Sequence, residues 1–441
     1  GLMQYEAAIE SYKQALKIKP DYAEAYYNIG SVLQSKGGLK ASIDSYKQAL
    51  KLKPDYAEAH NNIGVCLNDL GDVGGAIESY KRAVSIKPDH GEAYYNMGIA
   101  LNHKGDLEGA IKSFKRSLKI KPGYVDAYNH MGLALQCRGD LEAAIVCYKQ
   151  ALQIKPDHVE AHYNMGIALN DKGDLDGSTE SFKMALKVKP DYAGAAFNLS
   201  GLAKNMSESK SWIEHCLHLD QNHLEAKLTL AALRFYEGDK TTFDDLMQSP
   251  LKNHPFMRSF AWVFDLPALP ELCFHRWALF DYAAGQSITS RPFYEFGVWR
   301  GEAFRYLIKT FKKGYGFDTF EGIPEDWHHE KTGSYSSDGN IPQIEGGEFI
   351  VGKFDNTLLT FFSESRPTAS LINFDADLYS STICALNHSK PVIDQHTLLI
   401  FDEFLMNDNW EDDEYKALDE FCFHNSFTYE VLAVSFITKQ V

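Results

Sequence analysis

The chain lacks the marks of several protein classes. Its seven cysteines, among 441 residues, form no CxxC pair and show no zinc-ligand spacing. That excludes a disulfide scaffold or zinc finger as the organising device and fits buried thiols in a reducing, cytoplasmic setting. No apolar run reaches the roughly 18 residues of a membrane-spanning helix. No signal-peptide pattern opens the chain, and Gly1 falls inside a repeat, which reads as an array that continues upstream. Positive charge is scarce toward the C-terminus: residues 291–441 hold 12 Lys and Arg against 25 Asp and Glu, out of 44 and 60 in the chain. Such a surface disfavours nucleic acid, which is gripped through its phosphates. It suits a neutral acceptor, a cationic one or a metal.

The first 192 residues are strongly periodic. Pro20, Pro54, Pro88, Pro122, Pro156 and Pro190 recur at a spacing of 34, each preceded by lysine. Gly30, Gly64, Gly98, Gly132 and Gly166 keep the same period, as do turn glycines Gly37, Gly71, Gly105, Gly139 and Gly173. Asp72, Asp106, Asp140 and Asp174 follow the turns as helix N-caps. Tyr46, Tyr80, Phe114, Tyr148 and Phe182 supply one ring per unit.

A 34-residue helix–turn–helix unit of this kind resembles the tetratricopeptide repeat. The resemblance implies an α-solenoid with a concave groove over residues 1–192, the first repeat lacking its first helix, and degenerate or capping repeats over 193–249. A row of amides, Asn28, Asn62, Asn96, Asn164 and Asn198 (with His130 between), resembles the asparagine ladder in the repeats of the O-GlcNAc transferase. Amides carry both donor and acceptor, so the row is a candidate peptide-binding surface, or it orders the groove itself. Glu24, Glu58, Glu92 and Glu160 occupy the row where a clamp for acidic tails would need lysine.

Residues 250–290 are broken by Pro250, Pro255, Pro267 and Pro270 and read as a helical connector or lid. Leu272–Ala284 reads as an amphipathic helix in which His275 and Arg276 are structural, or part of that lid. From 291 to 441 strands alternate with helices, which indicates a doubly wound α/β sheet. Glu295, Gly297 and Gly301 form E-x-G-x-x-x-G at the first strand–helix turn, with Asp318 at the end of the next strand. That spacing departs from GxGxxG, so a dinucleotide is disfavoured. Two apolar runs, Ser370–Phe374 and Thr397–Phe401, then end in Asp375 and Asp377, and in Asp402 and Glu403. These are either four carboxylates aimed at one crevice or two solvated acidic loops.

Together EFGVWRG, GFDTFEGIPEDW, GKFDNTL, FDADLYSST and IFDEF resemble the macrocin/mycinamicin/novobiocin-type sugar O-methyltransferases. The resemblance implies a class I, S-adenosylmethionine-dependent and magnesium-dependent domain with a sugar or glycan acceptor. It assigns Glu295 and Gly297 to the cofactor's methionine end, Asp318 to its ribose and Phe320, with the following EGIP segment, to its adenine, with Gly301 also cofactor-binding. It makes Asp375, Asp402 and Glu403 metal ligands and Asp377 the general base. A hard cation lowers the pKa of adjacent hydroxyls, and a neighbouring carboxylate takes the proton. The chain departs from the family at Glu403, where relatives carry aspartate, and at the last strand, which reads as cut short. His328–Gly347 reads as a mobile loop, with His328 and His329 solvated or metal-binding. The expected function is therefore methyl transfer to a glycan hydroxyl, with the repeats recruiting a protein partner. The alternatives are methylation of a peptide held in the groove and an inactive repeat scaffold.

Overall fold

The computed structural model describes residues 2–326, 332–333, 335–337, 339–376, 378–436 and 441. Gly1–Ala168 form one compact unit and Leu169–Val441 a second. The division falls inside helix Val159–Asp171, earlier than the end of the 34-residue period. The reason is local: the Trp277 indole N–H donates to the Asn170 carbonyl at 2.8 Å, and Leu175 packs against the Trp277 cluster. Among the described residues no helix is long and apolar enough to cross a membrane.

In the first unit, helix Leu2–Ile18 is followed by the helix pairs Ala23–Ser35 and Leu39–Leu52, Ala57–Asp69 and Val73–Ile86, Gly91–His103 and Leu107–Ile120, and Val125–Cys137 and Leu141–Ile154. Each pair closes on a glycine set against a ring. A Cβ built on Gly98 would lie 2.6 Å from the Phe114 ring, and one on Gly64 2.5 Å from Tyr80. The rings are fully buried, so the missing methyl is what allows the two helices to meet. Turn glycines Gly37, Gly71, Gly105 and Gly139 all have φ near +80°, where a side chain is strained. Asp72 and Asp106 cap as expected, accepting from Gly75 N at 2.9 Å and Gly109 N at 2.8 Å. Asp140 makes no cap bond, because the Arg138 guanidinium pairs with it and with Glu108.

The second unit opens with further helices, including the shortened Ala193–Ser200 and the pair Leu224–Tyr236 and Thr241–Met247. The connector is not wholly helical. After helix Pro255–Phe264, strand β1 (Glu271–Cys273) pairs in parallel with β7 (Ala433–Ser435), far along the chain. The expected Leu272–Ala284 helix therefore starts later, as Arg276–Gln286, and His275 is its N-cap, its Nδ1 accepting from Ala278 N at 3.0 Å. Burial lowers the His275 pKa, against the charge of Asp281, which favours the neutral ring that can accept.

The main sheet comprises β2 (Phe293–Phe296), β3 (Gly314–Asp318), β4 (Gly347–Val351), β5 (Leu371–Phe374) and β6 (Leu398–Phe401). Its order is β4-β3-β2-β5-β6, with every neighbouring pair parallel. The central strands carry apolar residues on both faces, as a sheet covered on both sides requires. One face packs on helices Pro255–Phe264, Phe354–Phe362, Tyr379–Ser389 and Glu414–Asn425. The other packs on Arg276–Gln286 and Glu302–Phe311. Across the first face runs a ladder of rings in register. Phe317, Phe296, Phe374 and Phe401 stack with centroids 4.8, 5.4 and 4.9 Å apart in turn. Aromatic pairs of this kind contribute about 0.5–1.5 kcal/mol each beyond the area they bury.

The glycine–ring contact predicts a contrast within the array. Gly98→Ala should destabilise by about 1–3 kcal/mol through overpacking. Gly123→Ala, with nothing within 4 Å of the added Cβ, should change stability by less than about 0.5 kcal/mol. Urea denaturation of the full chain, followed by circular dichroism, measures both.

Candidate functional site

The strand order reverses between β2 and β5, and ligands of open α/β sheets lie beyond the carboxyl ends of strands at such a reversal. Because the strands are in register, their ends lie along one edge. Gly297 N donates to Phe317 O at 2.9 Å, Asp375 N to Phe296 O at 2.8 Å and Asp402 N to Phe374 O at 3.0 Å. The residue after each strand is thus held to its neighbour by a continuing ladder bond. A crevice of about 490 Å³ opens above them. Its walls include Gly297, Trp299, Asp318, Asp375, Asp402 and Glu403, with Thr319 and the Gly322–Glu325 segment.

Gly297 has φ +89°, and a Cβ there would stand 1.8 Å from the Asp375 carbonyl oxygen. Only glycine fits where the β2 turn crosses the end of β5. Asp318 ties that turn down: its Oδ2 accepts from Val298 N and Trp299 N, both at 2.7 Å, and its Oδ1 from Phe320 N at 2.6 Å. One carboxylate at the end of β3 therefore organises the loop that leaves β2 and still faces the crevice.

Other expected cofactor residues lie outside the crevice lining. Glu295 is 1% exposed, and its Oε2 has no hydrogen-bond partner among the described residues. Burial pushes its carboxyl well above the ordinary range; Arg276 opposes the shift, and Asp318 and Asp402 add to it. Gly301 packs against Pro342 and Ile344. Phe320 has φ +58°, which turns its fully buried ring into the core, while its carbonyl accepts from Ser337 N at 3.2 Å and Gly339 N at 2.9 Å. Gly322, Ile323 and Pro324 after it, together with Trp299 and Tyr335, form the wall instead.

The acids after β5 and β6 converge as the strand pattern implies. Arg276, however, lies between Asp375 and Asp402, its Nη2 2.5 Å from Asp402 Oδ1 and 3.7 Å from Asp375 Oδ2. Among the described residues no three His, Cys, Asp or Glu side chains gather as a metal-binding group. Asp377, His328 and His329 lie outside the described residues. Arg276, expected to be structural or part of a lid, reaches the two carboxylates from the first turn of the helix Arg276–Gln286.

In the array, the asparagine row joins repeats. Asn62 Nδ2 donates to Tyr27 OH at 3.0 Å and Tyr46 OH at 3.2 Å. Asn96 Nδ2 donates to Asn61 Oδ1, and Asn164 Nδ2 to Asn129 Oδ1, both at 3.1 Å. At the His130 position Nδ1 lies 3.4 Å from Tyr95 OH. Apart from the Tyr46 bond, which spans 16 residues to the second helix of the preceding pair, each contact reaches 35 residues back, from one first helix to the preceding one. Asn198 donates to Gly194 O of its own helix at 3.0 Å. Asn28 is half-buried at the first position of the row. In the acidic row, Glu58 pairs with Lys87 at 3.0 Å.

The raised pKa of Glu295 predicts a pH signature. A carboxyl protonated in the native state stabilises it below the unfolded value of about 4.3, and that contribution is lost as pH rises toward the folded value. Glu295→Gln keeps the neutral shape without the titration. Its thermal midpoint relative to the parent should therefore move in the variant's favour between about pH 4 and pH 7. Calorimetry across that range measures it; a constant difference would contradict the assignment.

Comparison with known families supports the repeat reading. A TPR-repeat model matches residues 4–37, 32–71, 66–103 and 138–171, and tetratricopeptide-repeat models match 91–124 and 159–192. A search of curated protein sequences gave no significant match. Among solved structures, MamA is similar at 32% identity, covering 38% of this chain and 97% of that one, with a TM-score of 0.36. MamA from Desulfovibrio magneticus RS-1 is similar at 22% identity, covering 38% and 96%, with a TM-score of 0.37. YrrB, described as a TPR protein with an unusual peptide-binding site, is similar at 22% identity, covering 42% and 96%, with a TM-score of 0.38. With the 34-residue period and its glycine–ring contacts, the family-model matches identify residues 4–124 and 138–192 as tetratricopeptide repeats.

Proposed function

We propose that the second unit carries a Rossmann-like, S-adenosylmethionine-dependent O-methyltransferase domain acting on a sugar or glycan hydroxyl, and that the repeats recruit a protein or peptide partner. The observation that carries the first part is the convergence of Gly297, Asp318, Asp375 and Asp402 on one crevice at the reversal of strand order. Tetratricopeptide repeats are interaction modules, which supports the second.

The cofactor, when bound, supplies an electrophilic methyl group. The protein's own residues do the rest. Gly297 leaves room for a ligand against the backbone of the β2 turn. Asp318, fixed by three backbone N–H groups, has acceptor capacity left for a ribose hydroxyl. Trp299 and Tyr335 offer aromatic wall for an adenine. The acidic floor at Asp375 and Asp402 suits a hydroxylated acceptor, and Asp377 keeps from the sequence reading the part of proton acceptor. Positioning alone can supply several kcal/mol of such a barrier.

Titration calorimetry and thermal shift test the cofactor. S-adenosylmethionine at 100 times its Kd should stabilise the full chain by about 2.7 kcal/mol. Gly297→Ala, whose added methyl overlaps the Asp375 carbonyl, should abolish the effect. No heat and no shift with the parent would reject the proposal.

A further inference from the structure

Two carboxylates at neighbouring strand ends repel unless a cation stands between them. In this crevice that cation is a side chain. Arg276 Nη2 bonds Asp402 and approaches Asp375, and the three side chains are only 27%, 13% and 28% exposed. Burial works against the guanidinium charge, and Asp402 and Asp375 more than offset it, so its pKa is raised. The buried Arg276 Nε has no hydrogen-bond partner among the described residues, so the group is held by charge rather than by a completed donor set.

Its neighbour fixes where it stands. Trp277 is 2% exposed, is bonded through its indole N–H to Asn170 O and packs at a tilt against Tyr306 with ring centroids 4.6 Å apart. A Cβ on Gly173, in the turn after Asn170, would come within 3.3 Å of that indole. The turn that begins the helix Leu175–Val188 thus moors the residue next to the arginine.

We propose that Arg276 is the resident cation of the Asp375–Asp402 pair, and that a divalent metal reaches these carboxylates only by displacing its guanidinium. The arginine then sets the metal affinity of the crevice, and the Trp277 mooring sets how readily it yields. This rests on the carboxylate pair and not on methyl transfer, so its test omits the cofactor.

Mn²⁺ alone is titrated into the full chain and followed by its electron paramagnetic resonance signal, with thermal midpoints alongside. The parent should bind Mn²⁺ weakly and its midpoint should be indifferent to the ion. Arg276→Gln should bind at least about tenfold more tightly. It should also melt lower without metal and recover with it, because the ion takes the place of the lost guanidinium between the two carboxylates. Trp277→Phe, which retains the arginine but loses the indole bond, should fall between the two. Adding Asp402→Asn to Arg276→Gln should remove the gained affinity. Parent affinity equal to or tighter than that of both single variants would overturn the proposal, as would tight binding that survives Asp402→Asn. Should Arg276→Gln not fold, the parent and Trp277→Phe decide it.

Discussion

The register of five parallel strands is the constraint on which the second unit depends. Phe317, Phe296, Phe374 and Phe401 stack across four of them, so no strand can slip by one residue without turning its ring to the opposite face. Fixed register brings Gly297, Asp318, Asp375 and Asp402 to one edge. The chemistry of the crevice is therefore set from below, by packing, before any polar contact within it is made. Asp318 then links the loops of two strands through three backbone N–H groups, and Arg276 links the ends of two others.

The repeat unit rests on a different device. A bare Cα faces a buried ring in each helix pair, and amides at a spacing of 35 residues join one pair to the previous. The amides expected to meet a peptide are thus first used by the array itself. The row still lies on the first helices, which contact one another from repeat to repeat. A partner would meet a surface whose hydrogen-bond donors are already oriented, which lowers the entropy cost of binding.

The repeats, the turn glycines and the strands ending in acid were legible because each is a local pattern: a period of 34, a positive φ, an apolar run that stops. Long-range contacts left no such trace. Nothing in Glu271–Cys273 marks it as the partner of Ala433–Ser435, so the helix after it was expected too early. The resemblance to the sugar O-methyltransferases puts Phe320 at the adenine; its left-handed backbone, which turns the ring inward, has no signature in the residue type. Asp140 failed to cap because of Arg138, a neighbour whose choice of partner composition does not encode. Arg276 was hidden for the same reason: 126 residues separate it from Asp402, and only the fold joins them.

We propose that the strand ends of the second unit form a nucleoside-cofactor site. Hydrogen–deuterium exchange of the full chain with and without S-adenosylmethionine tests it most directly. Protection should concentrate in peptides holding Gly297–Gly301, Asp318–Glu325 and the residues following β5, while the repeat helices exchange unchanged. Unaltered exchange in all three segments at saturating cofactor, or protection confined to the repeats, would contradict it.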